Sequence, residues 1–390
     1  MKKGLFFALG LFTCMAVNAQ DKLPAWLNNV KLSGYGMTQY QYNSQKEAPS
    51  NTFNIRFFRA TLDGRIKNDF YWKMQLQFNG NTATLGNSPR MVDLFVEWQK
   101  YDFFRVKVGQ FKVPFTFENP MAPIEQGFMS YSQIVLKLSG FNDRTGEHAS
   151  NGRDIGLQFQ GSFLKNDNGR DLLAYQIGVF NGQGINMGDV DQRKDIAGGL
   201  WVMPVKGMRL GAFGWTGTYA RKGTWTVVDD QFNPIMTTDQ QGNPVKKTQS
   251  GIRSLQQDRY ALSAEYLIND WTFRTEYIHS TGYGFKQVYQ TSADASNAEV
   301  NYADGNKADG AYALVIAPIL KHKLYAKARY DMYRPTAEWN KSKTYYEAGL
   351  TYMLTPNLQL QTEYALVNDR SLGADKQNYS IIDAQVDFKF

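Results

Sequence analysis

The segment SIIDAQVDFKF at residues 380–390 decides the fold. Apolar side chains occupy every second position from Ile382 to Phe390, and mostly polar side chains, such as Asp383 and Asp387, occupy the positions between them. This period of two predicts a β-strand with one apolar and one polar face. A long alternating strand that ends the chain on an exposed Phe is hard to bury in a soluble domain. It suits an all-β transmembrane barrel with lipid outside and a wet lumen inside.

The first residues indicate where such a barrel is located. Lys2 and Lys3 form a short basic start, residues 4–17 are apolar, and Ala19 is the kind of small residue that precedes a signal peptidase cleavage site. The apolar run is shorter than the roughly 20 residues that a spanning helix needs. We therefore expect a signal peptide at 1–19 and a single outer-membrane barrel domain at 20–390. Lipoprotein processing at Cys14 is the weaker alternative, because bulky Phe12 and Thr13 precede it.

The composition favours a barrel over a helical membrane protein. The 390 residues include 23 Tyr and 25 Phe and carry a formal net charge of +7, and the mean hydropathy is -0.47. No long uncharged apolar run follows the signal peptide, which argues against spanning helices. Barrels place aromatic side chains at both membrane interfaces, which accounts for the enrichment. A soluble β-sandwich is the alternative, but it explains neither the signal peptide nor the loop lengths described next.

Alternating segments recur along the whole mature chain, about sixteen in number. They cover residues 30–42, 54–66, 71–79, 91–99, 103–111, 153–163, 172–180, 194–202, 208–219, 258–268, 271–281, 310–317, 322–333, 344–353, 358–367 and 380–390. Short and long connections alternate between them, as expected for an up-and-down antiparallel barrel with short periplasmic turns and long extracellular loops. Both ends of the barrel sequence then lie on the periplasmic side.

Aromatic residues on the predicted outward face fall into two groups. At the periplasmic rim we expect Trp72, Trp98, Phe104, Trp271, Tyr352 and Phe388. Near the opposite rim we expect Tyr40, Phe78, Tyr219 and Tyr260. Tyr219 and Trp201 have the wrong parity for lipid, so Trp201 either packs inward or marks a β-bulge. Two aromatic belts are typical of a membrane-spanning barrel.

Function depends on the residues that face the lumen. The basic candidates are Arg59, Arg65, Arg105, Lys107, Arg153, Arg274, Lys327 and Arg329. The acidic candidates are Asp63, Asp93, Glu97, Glu265, Glu276, Asp331, Glu347 and Glu363. Closely spaced cations in a water-filled constriction attract anions. The alternative for any one of them is a charged lumen wall that would be polar whatever passes through.

The third long connection, 112–152, is the candidate constriction loop. It contains aromatic, apolar and Gly residues between 127 and 140, which would be unfavourable in open solvent. We therefore expect this loop to fold into the barrel mouth and narrow it. Lys112, Lys137 and Arg144 would then lie at the constriction.

Five ordered segments resemble one known family. They are FFRATLDG at 57–64, VGQFKVPF at 108–115, GRDIG at 152–156, GVFNG at 178–182 and KDIAG at 194–198. Together they resemble the phosphate-selective porin O and P family, in a form typical of Bacteroidetes, with likeness from about residue 30 to 390. The resemblance implies a sixteen-stranded, usually trimeric outer-membrane channel of a Gram-negative bacterium. Its phosphate-specific members use an arginine ladder and a lysine-bearing constriction. That ladder does not map onto this sequence, and the abundant acids weaken the case for phosphate.

These observations predict a porin for passive diffusion of small hydrophilic solutes, with an anion preference and phosphate as one candidate. The candidate anion-binding or pore-lining residues are Arg59, Arg105, Lys107, Lys112, Lys137, Arg144, Arg153, Lys327 and Arg329. An enzyme is not expected, because no histidine lies in a nucleophile motif or at metal-ligand spacing. We expect lipid contact and a homotrimer, but no cofactor, metal or nucleic acid. The alternative is a structural or plugged barrel or adhesin without an open channel.

Overall fold

The computed structural model describes residues 30–79, 89–140, 151–286 and 300–390. The predicted signal peptide and Arg144 lie outside these ranges. Sixteen strands form one closed antiparallel barrel, and two short strands form a separate hairpin. The fold class predicted from the alternating segments is therefore confirmed.

The barrel strands follow one another in chain order. They are β1 (Lys31–Asn43), β2 (Ser50–Ile66), β3 (Phe70–Gln77), β4 (Arg90–Tyr101), β5 (Phe104–Lys112), β6 (Arg153–Lys165), β7 (Asp171–Phe180), β8 (Asp195–Val202), β9 (Met208–Thr226), β12 (Thr248–Ile268), β13 (Trp271–Thr281), β14 (Lys307–Leu320), β15 (Leu324–Arg334), β16 (Lys343–Thr355), β17 (Leu358–Asp369) and β18 (Asn378–Lys389). The separate hairpin is β10 (Met236–Thr238) and β11 (Pro244–Lys246). One short helix, α1 (Gln133–Leu138), lies between β5 and β6.

Strands β1 and β18 close the barrel. Tyr35 pairs with Lys389, and the backbones of Gly34 and Phe390 exchange two hydrogen bonds of 2.9 and 3.0 Å. A Cβ on Gly34 would lie 2.3 Å from the Phe390 ring, and one on Gly36 would lie 2.3 Å from the Phe388 ring. The rings of Phe390 and Phe388 therefore pack directly against the backbone of Gly34 and Gly36 where β18 meets β1.

Short and long connections alternate around the barrel, as predicted. The short ones, at 67–69, 102–103, 166–170, 203–207, 269–270, 321–323 and 356–357, share one rim, which we call the short-turn rim. The long ones, at 44–49, 78–89, 113–152, 181–194, 227–247, 282–306, 335–342 and 370–377, share the other, the long-loop rim. Strand β1 begins and strand β18 ends at the short-turn rim.

The burial pattern is that of a barrel with an apolar exterior and a polar interior. On β18 the side chain of Ile382 is 45% exposed, whereas that of Asp387, on the opposite face, is 1% exposed. The outward aromatics Phe104, Trp271 and Phe388 lie at the short-turn rim, and Tyr260 lies near the long-loop rim. Among the described residues, no helix is long and apolar enough to cross a membrane.

The extents of two strands differ from the sequence-based expectation. Strands β9 and β12 were predicted to end at 219 and begin at 258, but their pairing continues to Thr226 and Thr248. Tyr219 therefore does not face lipid; it is buried in a small cluster with Leu255, Phe285 and Val300 above the long-loop rim. Trp201 packs inward, which is one of the two alternatives expected from its parity, and its ring stacks on Phe213.

Candidate functional site

The segment 113–140 crosses the lumen from β5 to the opposite wall. Strand β15 is separated from β5 by seven strands in either direction. The Gln133 N–H donates to Asp331 Oδ2 on β15 (2.8 Å), and the Met129 N–H donates to Glu363 Oε1 on β17 (2.8 Å). We call this segment the lumen segment.

Cations of the far wall hold the carbonyl groups of the lumen segment. Arg274 donates to the Gln126 carbonyl oxygen (3.2 Å), Lys327 to that of Gly127 (3.1 Å) and Arg329 to that of Ser130 (2.8 Å). Each of these cations also has a carboxylate partner: Glu265 for Arg274, Glu363 for Lys327 and Glu347 for Arg329. These wall charges therefore position the backbone of the segment.

Two local features allow the close contact with the wall. Ser132 caps α1 by accepting the Val135 N–H, and its own N–H and hydroxyl donate to the Glu118 carboxylate at 3.0 and 2.6 Å. Gly127 has a φ of +93°, and a Cβ there would lie 2.4 Å from Ile316. Only glycine fits this position without strain or a shift of Ile316.

An apolar core fills one half of the lumen. The rings of Phe115 and Phe117 pack edge-on against Phe213, and Ile134 and Leu138 of α1 are fully buried in the same cluster. The wall residues of this core come from β5 through β9 to β15. The space for a passage therefore lies mainly along the rest of the wall, from β15 through β18 and β1 to β5.

Replacing Phe213 by Ala is expected to destabilise the barrel. Loss of a buried Phe side chain typically lowers the free energy of unfolding by about 3–5 kcal/mol, and Phe213 contacts Phe115, Phe117 and Trp201. Urea unfolding of protein folded in lipid vesicles measures the change. Exposed Phe103, in the short turn 102–103, is the matched control; equal losses in the two variants would contradict the described core.

Two cavities approach each other along β17. One of about 730 Å³ opens toward the long-loop rim and is lined by Lys137, Lys341, Asp369 and Glu363, among others. Another of about 900 Å³ opens toward the short-turn rim and is lined by Glu125, His322 and Gln361 among others. Glu363 and Gln361 are adjacent inward positions of one strand, about 7 Å apart at the usual strand rise.

A group of cations lies on the wall formed by β2 to β6. Arg59 is fully buried; it donates to Gln77 Oε1 (2.9 Å) and to the Tyr35 hydroxyl (3.0 Å). Asp93 pairs with both Arg153 (2.5 Å) and Lys73 (2.9 Å). The structure thus brings Arg59 and Arg153 together with Lys112, which is directly opposite Arg153 in the β5–β6 pairing.

Tyr131 connects this wall to the lumen segment. The Lys112 ammonium lies 3.5 Å from the Tyr131 hydroxyl and 4.9 Å from its ring centroid. Burial raises the pKa of Tyr131 above its ordinary value. The phenol therefore keeps its proton, which it donates to the Met121 carbonyl oxygen (2.6 Å).

Arg56 is a site residue that the sequence did not predict. Strict alternation from Arg59 would point the side chain of residue 56 toward the lipid. However, the β1–β2 register shifts between Met37 and Thr38, which pair with Phe57 and Ile55 and leave Arg56 as the extra residue. This β-bulge turns Arg56 inward, as bulges re-aim side chains. Its guanidinium donates to Ser130 Oγ of the lumen segment (3.3 Å).

The remaining predicted residues lie elsewhere. Arg105 is at the short-turn rim and pairs with Asp102 (3.1 Å), and Lys107 pairs with Glu97 (3.7 Å). Lys327 and Arg329 hold the lumen segment, and Lys137 lines the long-loop cavity. Arg144 lies outside the described residues. Within the described ranges, no group of His, Cys, Asp and Glu could hold a metal ion.

Comparison with known proteins identifies relatives of the fold. A family model described as "Phosphate-selective porin O and P" matches residues 33–390, and no curated protein matches the chain. The solved anion-selective porin from Comamonas acidovorans is 12% identical with a TM-score of 0.60, covering 93% of this chain and 99% of that one. OmpF of Salmonella typhi, in complex with daunomycin, is 12% identical with a TM-score of 0.60, covering 94% and 99%. The trimer form of OmpT of Vibrio cholerae is 11% identical with a TM-score of 0.54, covering 93% and 99%.

Proposed function

The chain belongs to the phosphate-selective porin O and P family, and on that premise we propose that it is a passive, anion-preferring channel for small hydrophilic solutes. Family and fold support an outer-membrane channel rather than an enzyme. The lumen segment and the cations beside it would then select which solutes pass.

The proposed anion preference is supported by an excess of positive charge on the wall formed by β2 to β6. Asp93 is shared by Arg153 and Lys73, so it balances only one of them. Arg59 has no carboxylate within ion-pair distance among the described residues, and its Nη2 has no hydrogen-bond partner there. Positively charged groups beside a narrow aqueous passage favour anions.

Phosphate is one candidate solute. Guanidinium groups bind phosphate oxygens in a bidentate manner, and Arg56 and Arg59 each have a nitrogen without a hydrogen-bond partner among the described residues. Inward carboxylates such as Asp383 and Asp387 disfavour an anion with more than one charge. We therefore assign the anion preference to the channel and treat phosphate selectivity as the point to be measured.

Refolded protein in a planar bilayer tests this proposal. Discrete current steps in KCl are expected, and phosphate titrated into chloride shows whether phosphate occupies the passage. Block at low phosphate concentration would support a phosphate channel, and large steps without block would support a general porin. Absence of steps would support the alternative of a plugged or structural barrel, since the lumen segment fills much of the interior.

Exchanging Arg105 and Lys107 for Glu should move selectivity toward cations. Most of the effect is expected from Lys107, which lies deeper in the lumen beside the Phe95 and Phe111 rings, at 5.1 and 5.2 Å. Arg105 is at the rim, where water and salt screen its charge. Reversal potentials of the two single variants measure this; a larger shift for Arg105→Glu would contradict the placement of Lys107 along the passage.

We also propose a homotrimer with lipid around it. The support is the family, together with the structural similarity to the trimer form of OmpT of Vibrio cholerae. Native mass spectrometry or chemical cross-linking of the detergent-extracted protein tests it, and a monomer at all concentrations would contradict it.

Export through a cleaved signal peptide at 1–19 is a further proposal. Its support is the basic start, the apolar run and Ala19. Amino-terminal sequencing of protein extracted from outer membranes is expected to begin at Gln20.

A further inference from the structure

The passage has an acidic wall as well as a basic one. Glu363 on β17 and Asp383 on β18 are directly opposite each other in the strand pairing, and like charges in that position are unfavourable. Lys327 pairs with Glu363 (2.5 Å). Among the described residues, Asp383 accepts from the Gln39 and Gln41 amides, at 2.8 and 3.0 Å. Four residues along β18, Asp387 accepts from the Gln359 and Gln361 amides at 2.8 and 2.5 Å.

Two carboxylates of this acidic wall, Asp383 and Asp387, lack a cationic partner among the described residues. Among the described residues, no Lys, Arg or His nitrogen lies within ion-pair distance of Asp383 or Asp387. Asp387 is 1% exposed, and its Oδ1 has no hydrogen-bond partner there. Neutral amides satisfy part of the hydrogen-bonding capacity of each carboxylate but do not neutralise its charge. A wall that served only to hold the lumen segment would not need these charges.

Arg56 and Arg59 lie beside this wall on β2, which only β1 separates from β18. The charges of Glu363, Asp383 and Asp387 act on the Arg56 guanidinium, yet none of these carboxylates is within ion-pair distance of it. Arg56 and Arg59 lie on the same Phe57 ring, at 5.7 and 4.5 Å from its centroid. Arg56 Nη1 and Arg59 Nη2 have no hydrogen-bond partner among the described residues.

The acids also lie where the two cavities approach each other. Glu363 and Asp383 line the long-loop cavity, and Gln359 and Gln361, which hold Asp387, line the short-turn cavity. Strands β18, β1 and β2 are consecutive in the barrel, so a solute that moves from one cavity to the other passes the carboxylates and the arginines side by side on one stretch of wall.

We propose that this passage is a binding site for small zwitterions, such as amino acids and short peptides. The ammonium group of the solute lies at Asp383, with the charge of buried Asp387 behind it, and its carboxylate lies at Arg56, with the charge of buried Arg59 behind it. A solute with both charges compensates both walls at once, whereas a simple anion meets the acids and a simple cation meets the arginines. The inference rests on the proposed channel function and narrows its solute class.

Swelling of proteoliposomes in two isomeric solutes tests this inference. β-Alanine is a zwitterion and lactamide is its neutral isomer, so size does not separate them. In the wild type, β-alanine is expected to enter several-fold faster than lactamide. In Asp383→Asn and in Asp387→Asn, the ratio is expected to fall toward one while lactamide entry is unchanged. Asp102→Asn, which removes the same charge at the short-turn rim, is the matched control and should keep the wild-type ratio.

The possible results distinguish failure of the zwitterion site from failure of the channel function. Equal entry of the two isomers into wild-type vesicles, or a ratio that both Asn variants leave unchanged, would overturn the zwitterion site while the channel stands. Failure of both isomers to enter, with no current in KCl, would overturn the proposed function. Two Asn variants at separate positions guard against one that fails to fold, and the lactamide rate reports folding of each.

Discussion

Replacement of Arg56 and Arg59 by Gln is expected to abolish the anion preference of the channel. Both guanidinium groups lie beside the passage and lack a carboxylate within ion-pair distance among the described residues. A unit charge about 4 Å from a passing ion contributes about 1 kcal/mol in water and about 4 kcal/mol at an effective dielectric constant of about 20. The anion-to-cation permeability ratio should therefore fall at least several-fold. Reversal potentials in a KCl gradient measure it.

Two controls accompany this experiment. Arg56→Lys with Arg59→Lys keeps the charges and should keep the sign of selectivity, although bidentate contacts are lost. Arg105→Gln removes one cation at the short-turn rim and should have little effect. An unchanged permeability ratio in the folded Gln variant would place the selective step elsewhere in the lumen.

Replacement of Arg329 by Met is expected to loosen the lumen segment and raise conductance. Arg329 forms two hydrogen bonds with the Glu347 carboxylate (2.5 and 3.0 Å) and donates to the Ser130 carbonyl oxygen (2.8 Å). Removing one member of a buried ion pair typically costs about 3–5 kcal/mol. Because the Ser130 carbonyl oxygen then loses its hydrogen-bond donor, we expect larger and noisier single-channel steps and a lower free energy of unfolding.

The double variant Arg329→Met with Glu347→Leu separates the two effects. It removes the unpaired carboxylate and should recover much of the stability, while the Ser130 carbonyl oxygen still lacks its donor. Conductance should therefore stay high. Wild-type conductance in both folded variants would contradict the role of Arg329 in holding the segment.

The barrel could be predicted from the sequence because each strand meets two solvents. Lipid on one side and water on the other impose a period of two on every spanning strand, as in 380–390, and the loop lengths then set the order of the rims. The extension of β9 and β12 to Thr226 and Thr248 could not be predicted in this way. Above the membrane both faces meet water, so the alternation that identifies a strand disappears.

The site was predictable only in part. Arg59 and Arg153 were found by parity, and both lie on the basic wall. Arg56 was missed because a single extra residue at the β1–β2 bulge reverses which residues of β2 point inward from that position toward the start of the strand. Asp383 and Asp387 were placed on the polar face but not assigned to the passage.

Inward charge alone did not reveal which residues are available to a solute. Lys327 and Arg329 face inward, yet both are used by carboxylates and by backbone carbonyl groups of the lumen segment. These partners are far away along the chain and are joined by backbone atoms. No side-chain pattern in the sequence encodes such contacts, so only the folded structure separates anchoring charges from those that face the passage.

The most direct test of this account is the reversal potential of single wild-type channels in a planar bilayer under a KCl gradient. The account predicts discrete steps with a reversal potential of the sign for chloride permeation, because the excess charge on the β2–β6 wall is positive. Cation-selective steps, or a folded protein that never conducts, would contradict it.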